Sequence, residues 1–208
     1  MIPVKVLAVQ YLSAVSPELS RALGTDAPCL GLITTDSDDP TYIALDQATK
    51  DAQVTVCYGR SFYAGAGNST TPYAGEVIGI LAGPTPGAVR SGMESALSEL
   101  ERVGFEEING VPCLAHTVSR CGSFLSGAAG VPEGTPIAYL IAPPLESMYA
   151  LDAALKAADV KLCKLYNPPT ETNFGGGLLT GTQSACAAAC AAFREAVAEV
   201  AGRPNKER

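Results

Sequence analysis

Three aspartates stand close together ahead of a helical pattern. Asp36, Asp38 and Asp39 precede Thr41–Ala52, where apolar side chains recur at helical spacing. Carboxylates at such a position can accept hydrogen bonds from free backbone N–H groups of the first helical turn and interact favourably with the helix dipole. Helix capping is therefore one interpretation of these residues, and a family resemblance described below suggests a second.

The other side chains with reactive chemistry argue against catalysis. His116 is the only histidine and alternates with apolar neighbours, so a structural role is favoured. Cys186 and Cys190 share one face of an Ala-rich helix, a spacing open to two zinc ligands, but no second pair or histidine lies nearby in the sequence. Core packing is the favoured interpretation of both cysteines. Without a GxSxG motif, a Ser/His/Asp order or a cysteine-nucleophile signature, the sequence predicts no catalytic residue and no metal site.

A polar, Gly-rich stretch covers Gly59–Tyr73 and predicts a long irregular loop. Its adjacent aromatic residues and the small residues that permit positive φ are Phe62, Tyr63, Gly65, Gly67 and Asn68. It is not a phosphate-binding loop, because no GK[ST] follows and no helix begins directly after it. A merely flexible connection is the simplest interpretation.

The elements that carry these residues are duplicated. Ala44–Cys57 (ALDQATKDAQVTVC) recurs 106 positions later as Ala150–Cys163 (ALDAALKAADVKLC). A period near half the chain length indicates two copies of one unit rather than a solenoid. Each copy reads as helix, short turn and strand, so both halves predict the order β-α-β-α-β-β-α in an α/β (α+β) fold.

The predicted elements follow from apolar periodicity and from Pro and Gly punctuation. In the first half they are strand Val4–Tyr11, helix Pro17–Leu23, strand Cys29–Thr34, helix Thr41–Ala52, strand Thr55–Tyr58, strand Glu76–Ala82 and helix Ala88–Arg102. In the second half they include strand Val111–Ser119, helix Ser123–Ala129, strand Pro136–Ala142, a turn Pro143–Met148, strand Leu178–Gly181 and helix Ser184–Val200.

Composition narrows the functional class. The 208 residues are 47% hydrophobic and 17% charged, with a net charge of −7. The 14 basic residues form no stripe, which argues against nucleic acid as a partner. No apolar run reaches the ~20 residues that a membrane span needs, and Met1–Tyr11 lacks a cleavage site, so neither a membrane nor a secretory signal is expected. Seven cysteines without framework spacing favour a reducing cytosol.

Four motifs give the chain a family resemblance. They are LGLITTDSDDPTYIALDQATKDAQVTV, RSFYAGAGNSTTPYAGEVIGILAGP, LIAPPLESMYALDAALKAADV and PPTETNFGGGLLTGTQSAC. Together they resemble the EutL family of ethanolamine-utilisation microcompartment shell proteins over about Val4–Ala201. That resemblance implies two tandem, circularly permuted bacterial-microcompartment (BMC) domains at residues 1–109 and 110–208, each a small, mostly antiparallel sheet flanked by helices.

The resemblance also implies the function, location and partners of the protein. It predicts a structural shell protein, not an enzyme, in the microcompartment shell within the cytoplasm. Its expected partners are two further copies in a pseudo-hexagonal homotrimer, other microcompartment shell proteins, and small metabolites such as ethanolamine. Two similar units per chain agree with this, because a threefold axis would give six similar wedges in a closed ring. No cofactor is required, although cobalamin binding at subunit interfaces is an alternative ligand-binding or sensor role.

Site residues follow from the same resemblance. A small pore within each subunit would be lined by Asp38 and Glu76, with backbone contributions near Phe105 and Thr182 as a weaker expectation. Two carboxylates facing a narrow passage would favour a small cation such as ethanolammonium over the neutral aldehyde product. The loop with Phe62 and Tyr63 would gate a central pore, together with the turn at Gly104-Phe105.

Overall fold

A computed structural model describes residues 1–63 and 75–205 as a mixed α/β protein of two compact units. We call them unit one and unit two. Unit one contains Met1–Ile2, Gly104–Cys121 and the chain from Ser126 onward. Unit two contains Pro3–Val103 and the short segment Gly122–Leu125.

The elements alternate as the repeat predicted. Unit two carries strands β1 (Val6–Leu12), β2 (Cys29–Thr35), β3 (Thr55–Ser61) and β4 (Val77–Gly83), with helices α1 (Pro17–Ala22), α2 (Asp38–Asp51) and α3 (Pro86–Leu100). The rest of the chain carries strands β5 (Glu106–Ile108), β6 (Val111–Val118), β7 (Ile137–Ala142), β8 (Val160–Tyr166) and β9 (Gly175–Gly181), with helices α5 (Pro144–Ala157) and α6 (Gln183–Gly202). Helix α4 (Ser123–Ala129) begins in the short segment of unit two and continues into unit one.

Among the described residues, each unit has one antiparallel sheet. The strand order is β1-β2-β4-β3 in unit two and β5-β6-β7-β9-β8 in unit one. The additional strand β5 is the main departure from the predicted order, and it forms a hairpin with β6. Asn109 and Gly110 join the two strands at φ values of 50° and 84°, the left-handed conformation that tight hairpins require. The sequence prediction missed β5 because three residues are too short for a periodic signal.

Helices pack on one face of each sheet. In unit two, α2 and α3 bury Leu45, Ala48, Val89 and Met93 against the sheet. In unit one, α5 and α6 supply a core that contains both Cys186 and Cys190. The core-packing interpretation of these cysteines is thus confirmed, and burial raises the pKa of both thiols.

The predicted starts of three helices are wrong, and a proline in the first turn explains each of them; the predicted strand Leu178–Gly181 also begins earlier, at Gly175. Helix α2 begins at Asp38 rather than Thr41, α3 begins at Pro86 rather than Ala88, and α5 begins at Pro144 where a turn was predicted. A proline in the first helical turn lacks an N–H group that would have no intrahelical partner anyway, so it starts a helix without cost. The predicted loop Gly59–Tyr73 also begins too early, because β3 continues to Ser61.

Candidate functional site

The carboxylates of the predicted small pore come together in unit two because of strand register. Strands β2 and β4 are antiparallel, with Thr35 paired to Val77. Glu76, directly before β4, donates its backbone N–H to the carbonyl oxygen of Thr35 at 2.8 Å. Asp36 follows β2 directly, and α2 begins two residues later with Asp38. We call Asp36, Asp38 and Glu76 the acidic cluster.

Electrostatics in the acidic cluster are unfavourable for a third negative charge. The pKa of Glu76 is raised from 4.5 to about 7, first by desolvation and then by the charges of Asp38 and Asp36. At neutral pH this carboxyl group therefore exchanges readily between its charged and neutral forms. A bound cation would favour the charged form.

The capping interpretation of the aspartates is only partly correct. The N-cap of α2 is Ser37, whose side chain makes no capping hydrogen bond. Asp36 instead accepts the backbone N–H of Lys5 at 2.8 Å. Asp38 lies in the first turn, where its carboxylate accepts the N–H of Asp39 at 2.8 Å. Asp38 and Asp39 are both nearly buried, with 6% and 7% exposure.

Phe105 and Thr182, the weaker pore expectations, lie in unit one and have structural partners there. Phe105 is buried, and its ring centroid is 5.3 Å from that of Phe174. Its carbonyl oxygen accepts the N–H of Ile2 at 2.6 Å. Thr182 is the N-cap of α6, where its Oγ1 accepts the N–H of Ala185 at 3.1 Å. These contacts account for the residue types without a ligand.

The predicted gate loop is described only at its start. Phe62 donates its N–H to the carbonyl oxygen of Glu76 at 2.9 Å, which connects the loop to the acidic cluster. Tyr63 is 56% exposed. Gly65, Gly67 and Asn68 lie outside the described residues.

Asp46 is a buried polar residue that stands out in the sequence only as part of the repeat. Its side chain has no exposure, although it is charged and directly follows the core residue Leu45 in α2. Its two carboxylate oxygens accept the N–H groups of Gly122 and Leu125, each at 2.8 Å. The available signal was an acidic residue inside the apolar pattern of a helix, which requires a partner when buried.

Within the described part of the chain, no helix combines the length and apolar character needed to cross a membrane. The same residues contain no group of three or more His, Cys, Asp or Glu side chains arranged to hold a metal ion. His116 lies on β6 opposite Tyr139 of β7.

Comparisons with known proteins identify relatives that share the sequence and fold of nearly the whole chain. The BMC domain family model matches residues 29–111. The bacterial microcompartment shell protein EutL of Clostridium perfringens (strain 13 / Type A) is 58% identical over 205 residues, covering 96% of this chain and 94% of that protein. A monoclinic crystal structure of EutL from Clostridium perfringens gives a TM-score of 0.95 at 57% identity, covering 99% of this chain and 96% of that one. The trimeric shell protein PduB has the same fold, with a TM-score of 0.80 at 19% identity over 96% of this chain and 90% of that one.

Proposed function

Because the chain belongs to the EutL family of bacterial microcompartment shell proteins, we propose that it forms trimers whose acidic clusters select small organic cations for passage through the shell. The chain is a structural protein of the microcompartment shell, like its relatives, and not an enzyme. The selective passage and the trimer are the proposal.

The trimer is supported by the duplication. Each chain contributes two similar units, so three chains around a threefold axis place six similar units in a closed ring. PduB, whose fold this chain shares, is described as trimeric. Other shell proteins would then surround each ring at its edges.

The acidic cluster is the observation that supports cation selection. Asp38 is nearly buried, and Glu76 has a pKa of about 7 because of desolvation and neighbouring negative charge. A monovalent cation such as ethanolammonium would relieve this repulsion, whereas a neutral aldehyde would not. Binding must stay weak, since a conduit has to release what it binds.

Ethanolamine binding by a charge-neutralised variant tests the proposal. We expect Asp38→Asn combined with Glu76→Gln to fold and to bind ethanolamine at least about tenfold more weakly by titration calorimetry, because a loss of ~1.4 kcal/mol of attraction is a factor of ten. The control is Glu133→Gln with Glu195→Gln, which changes the net charge equally at two exposed sites. Equal affinity in both double variants would refute a role of the acidic cluster in cation selection.

Cobalamin binding at subunit interfaces stays a prediction of the family resemblance. Titration with cobalamin would support it through a change in the visible spectrum or in the melting temperature. An unchanged spectrum and melting temperature would contradict it.

A further inference from the structure

The hydrogen bonds of Asp46 show how the segment Gly122–Leu125 packs against α2. Within unit two, Gly122 and Leu125 donate backbone N–H groups to the two carboxylate oxygens of Asp46, each at 2.8 Å. Lys50, one turn further along α2, lies 3.6 Å from the same carboxylate. This side of α2 is therefore covered by Gly122–Leu125.

The repeat places an equivalent acidic residue on α5, where it is exposed. Asp152 lies 106 positions after Asp46 and keeps the lysine one turn later, with Lys156 at 2.6 Å. Its side chain is nevertheless 64% exposed. Leu145, Met148 and Tyr149 are exposed on the same helix, at positions that form one stripe with Asp152. We call these four residues the α5 face.

The same spacing identifies the segment that would cover the α5 face. Subtracting the repeat period from Gly122–Leu125 gives residues Ser16–Leu19, at the start of α1 in unit two. Ser16 is the N-cap of α1 but makes no side-chain capping bond, and Leu19 is 46% exposed. The surface and the segment are thus both exposed, while their repeat equivalents are in contact.

A pair of residue differences between the two repeats supports the match between Ser16–Leu19 and the α5 face. In unit two, the Oγ1 of Thr49 accepts the N–H of Ser123 at 3.1 Å. The equivalent residues are Leu155, which has no side-chain acceptor, and Pro17, which has no backbone N–H. Donor and acceptor are lost together, so this contact could form in the second pair without leaving a buried polar group unsatisfied.

We propose that the α5 face is a docking surface for a second copy of this chain, whose residues Ser16–Leu19 cover it and donate backbone N–H groups to Asp152. The inference rests on the proposed trimer and assigns its subunit contact. Unit two of one copy then meets unit one of the next, a head-to-tail contact of the kind that closes into rings. Ser16 has a Cβ where Gly122 has none. A Cβ on Gly122 would clash with Oγ1 of Thr49 and lie 2.7 Å from the carbonyl oxygen of Asp46, so Ser16 must lie further from α5 than Gly122 lies from α2. The N–H of Leu19 is therefore the main donor.

Assembly of Asp152→Ala tests the contact. We expect sedimentation velocity over a concentration series to show trimers that dissociate at about ten- to hundredfold higher concentration than wild type, because hydrogen bonds to a charged group are lost at each interface. Glu195→Ala, an exposed carboxylate on α6 of the same unit, is the matched control and should leave assembly unchanged. A wild-type monomer would refute the proposed trimer, whereas trimers equally stable in wild type and Asp152→Ala would refute the docking contact alone.

Cross-linking gives a second test that does not depend on weakening the assembly. Glu18 and Met148 are equivalent to Phe124 and Tyr42, whose ring centroids are 5.8 Å apart. Glu18→Cys combined with Met148→Cys should give covalent dimers and trimers with a short bismaleimide. Each single variant and the wild type, with its seven native cysteines, should give only background. Trimers that yield no cross-link, or cross-linking within one chain, would overturn the assignment.

Discussion

Replacing Glu76 with glutamine should stabilise the folded protein above neutral pH and have little effect near pH 4.5. The pKa of Glu76 is about 7 in the folded protein, against 4.5 for an ordinary glutamate. Between these values the folded chain keeps a proton that the unfolded chain has released. The free energy of unfolding of the wild type therefore falls as the pH rises through this window. Glutamine carries no ionisable proton, so Glu76→Gln escapes this loss.

The size of the effect follows from the pKa difference. A difference of about 2.5 in pKa corresponds to about 3.4 kcal/mol in the free energy of unfolding. Because Glu76 is only partly buried, water screens its charge, and we expect about 1–2 kcal/mol near pH 8. Asp38→Asn should reproduce part of this gain, because the charge of Asp38 is the second cause of the raised pKa.

Urea unfolding followed by circular dichroism near pH 4.5 and near pH 8 measures this directly. Protein concentration must be matched, because assembly changes the apparent stability. Glu133→Gln, at an exposed position, is the control and should show no pH-dependent gain. If Glu76→Gln is no more stable than the wild type near pH 8, the repulsive acidic cluster is not a feature of the folded protein.

Two further predictions concern buried and capping groups. Asp46→Ala should lower the free energy of unfolding by about 3 kcal/mol, because two buried backbone N–H groups lose a charged acceptor. Asp152→Ala should change the free energy of unfolding of the dissociated chain by less than about 0.5 kcal/mol, because Asp152 is exposed. Equal effects of the two substitutions in urea unfolding would contradict the different burial of the two residues. Thr182→Ala and Thr85→Ala should each cost about 1 kcal/mol, because both threonines are N-caps; a much larger loss at Thr182 in the same assay would reveal a role beyond capping.

The sequence alone was sufficient to predict the duplicated architecture and the family. Repetition of Ala44–Cys57 as Ala150–Cys163 predicts two units, and the helix–strand order within them is encoded locally by apolar spacing. Both predictions are confirmed by the two antiparallel sheets and by the relatives. Local patterns were less reliable for the boundaries, because proline marks a turn and a helix start equally well.

Only the tertiary structure decided the environments of the carboxylates. Asp46 and Asp152 are equivalent in sequence, but Asp46 is buried by a segment 76 to 79 residues further along the chain, while Asp152 is exposed. Glu76 acquires its raised pKa because the register of β2 and β4 brings it beside Asp36 and Asp38. Burial and charge repulsion depend on neighbours that are distant in sequence, and no local pattern specifies those neighbours.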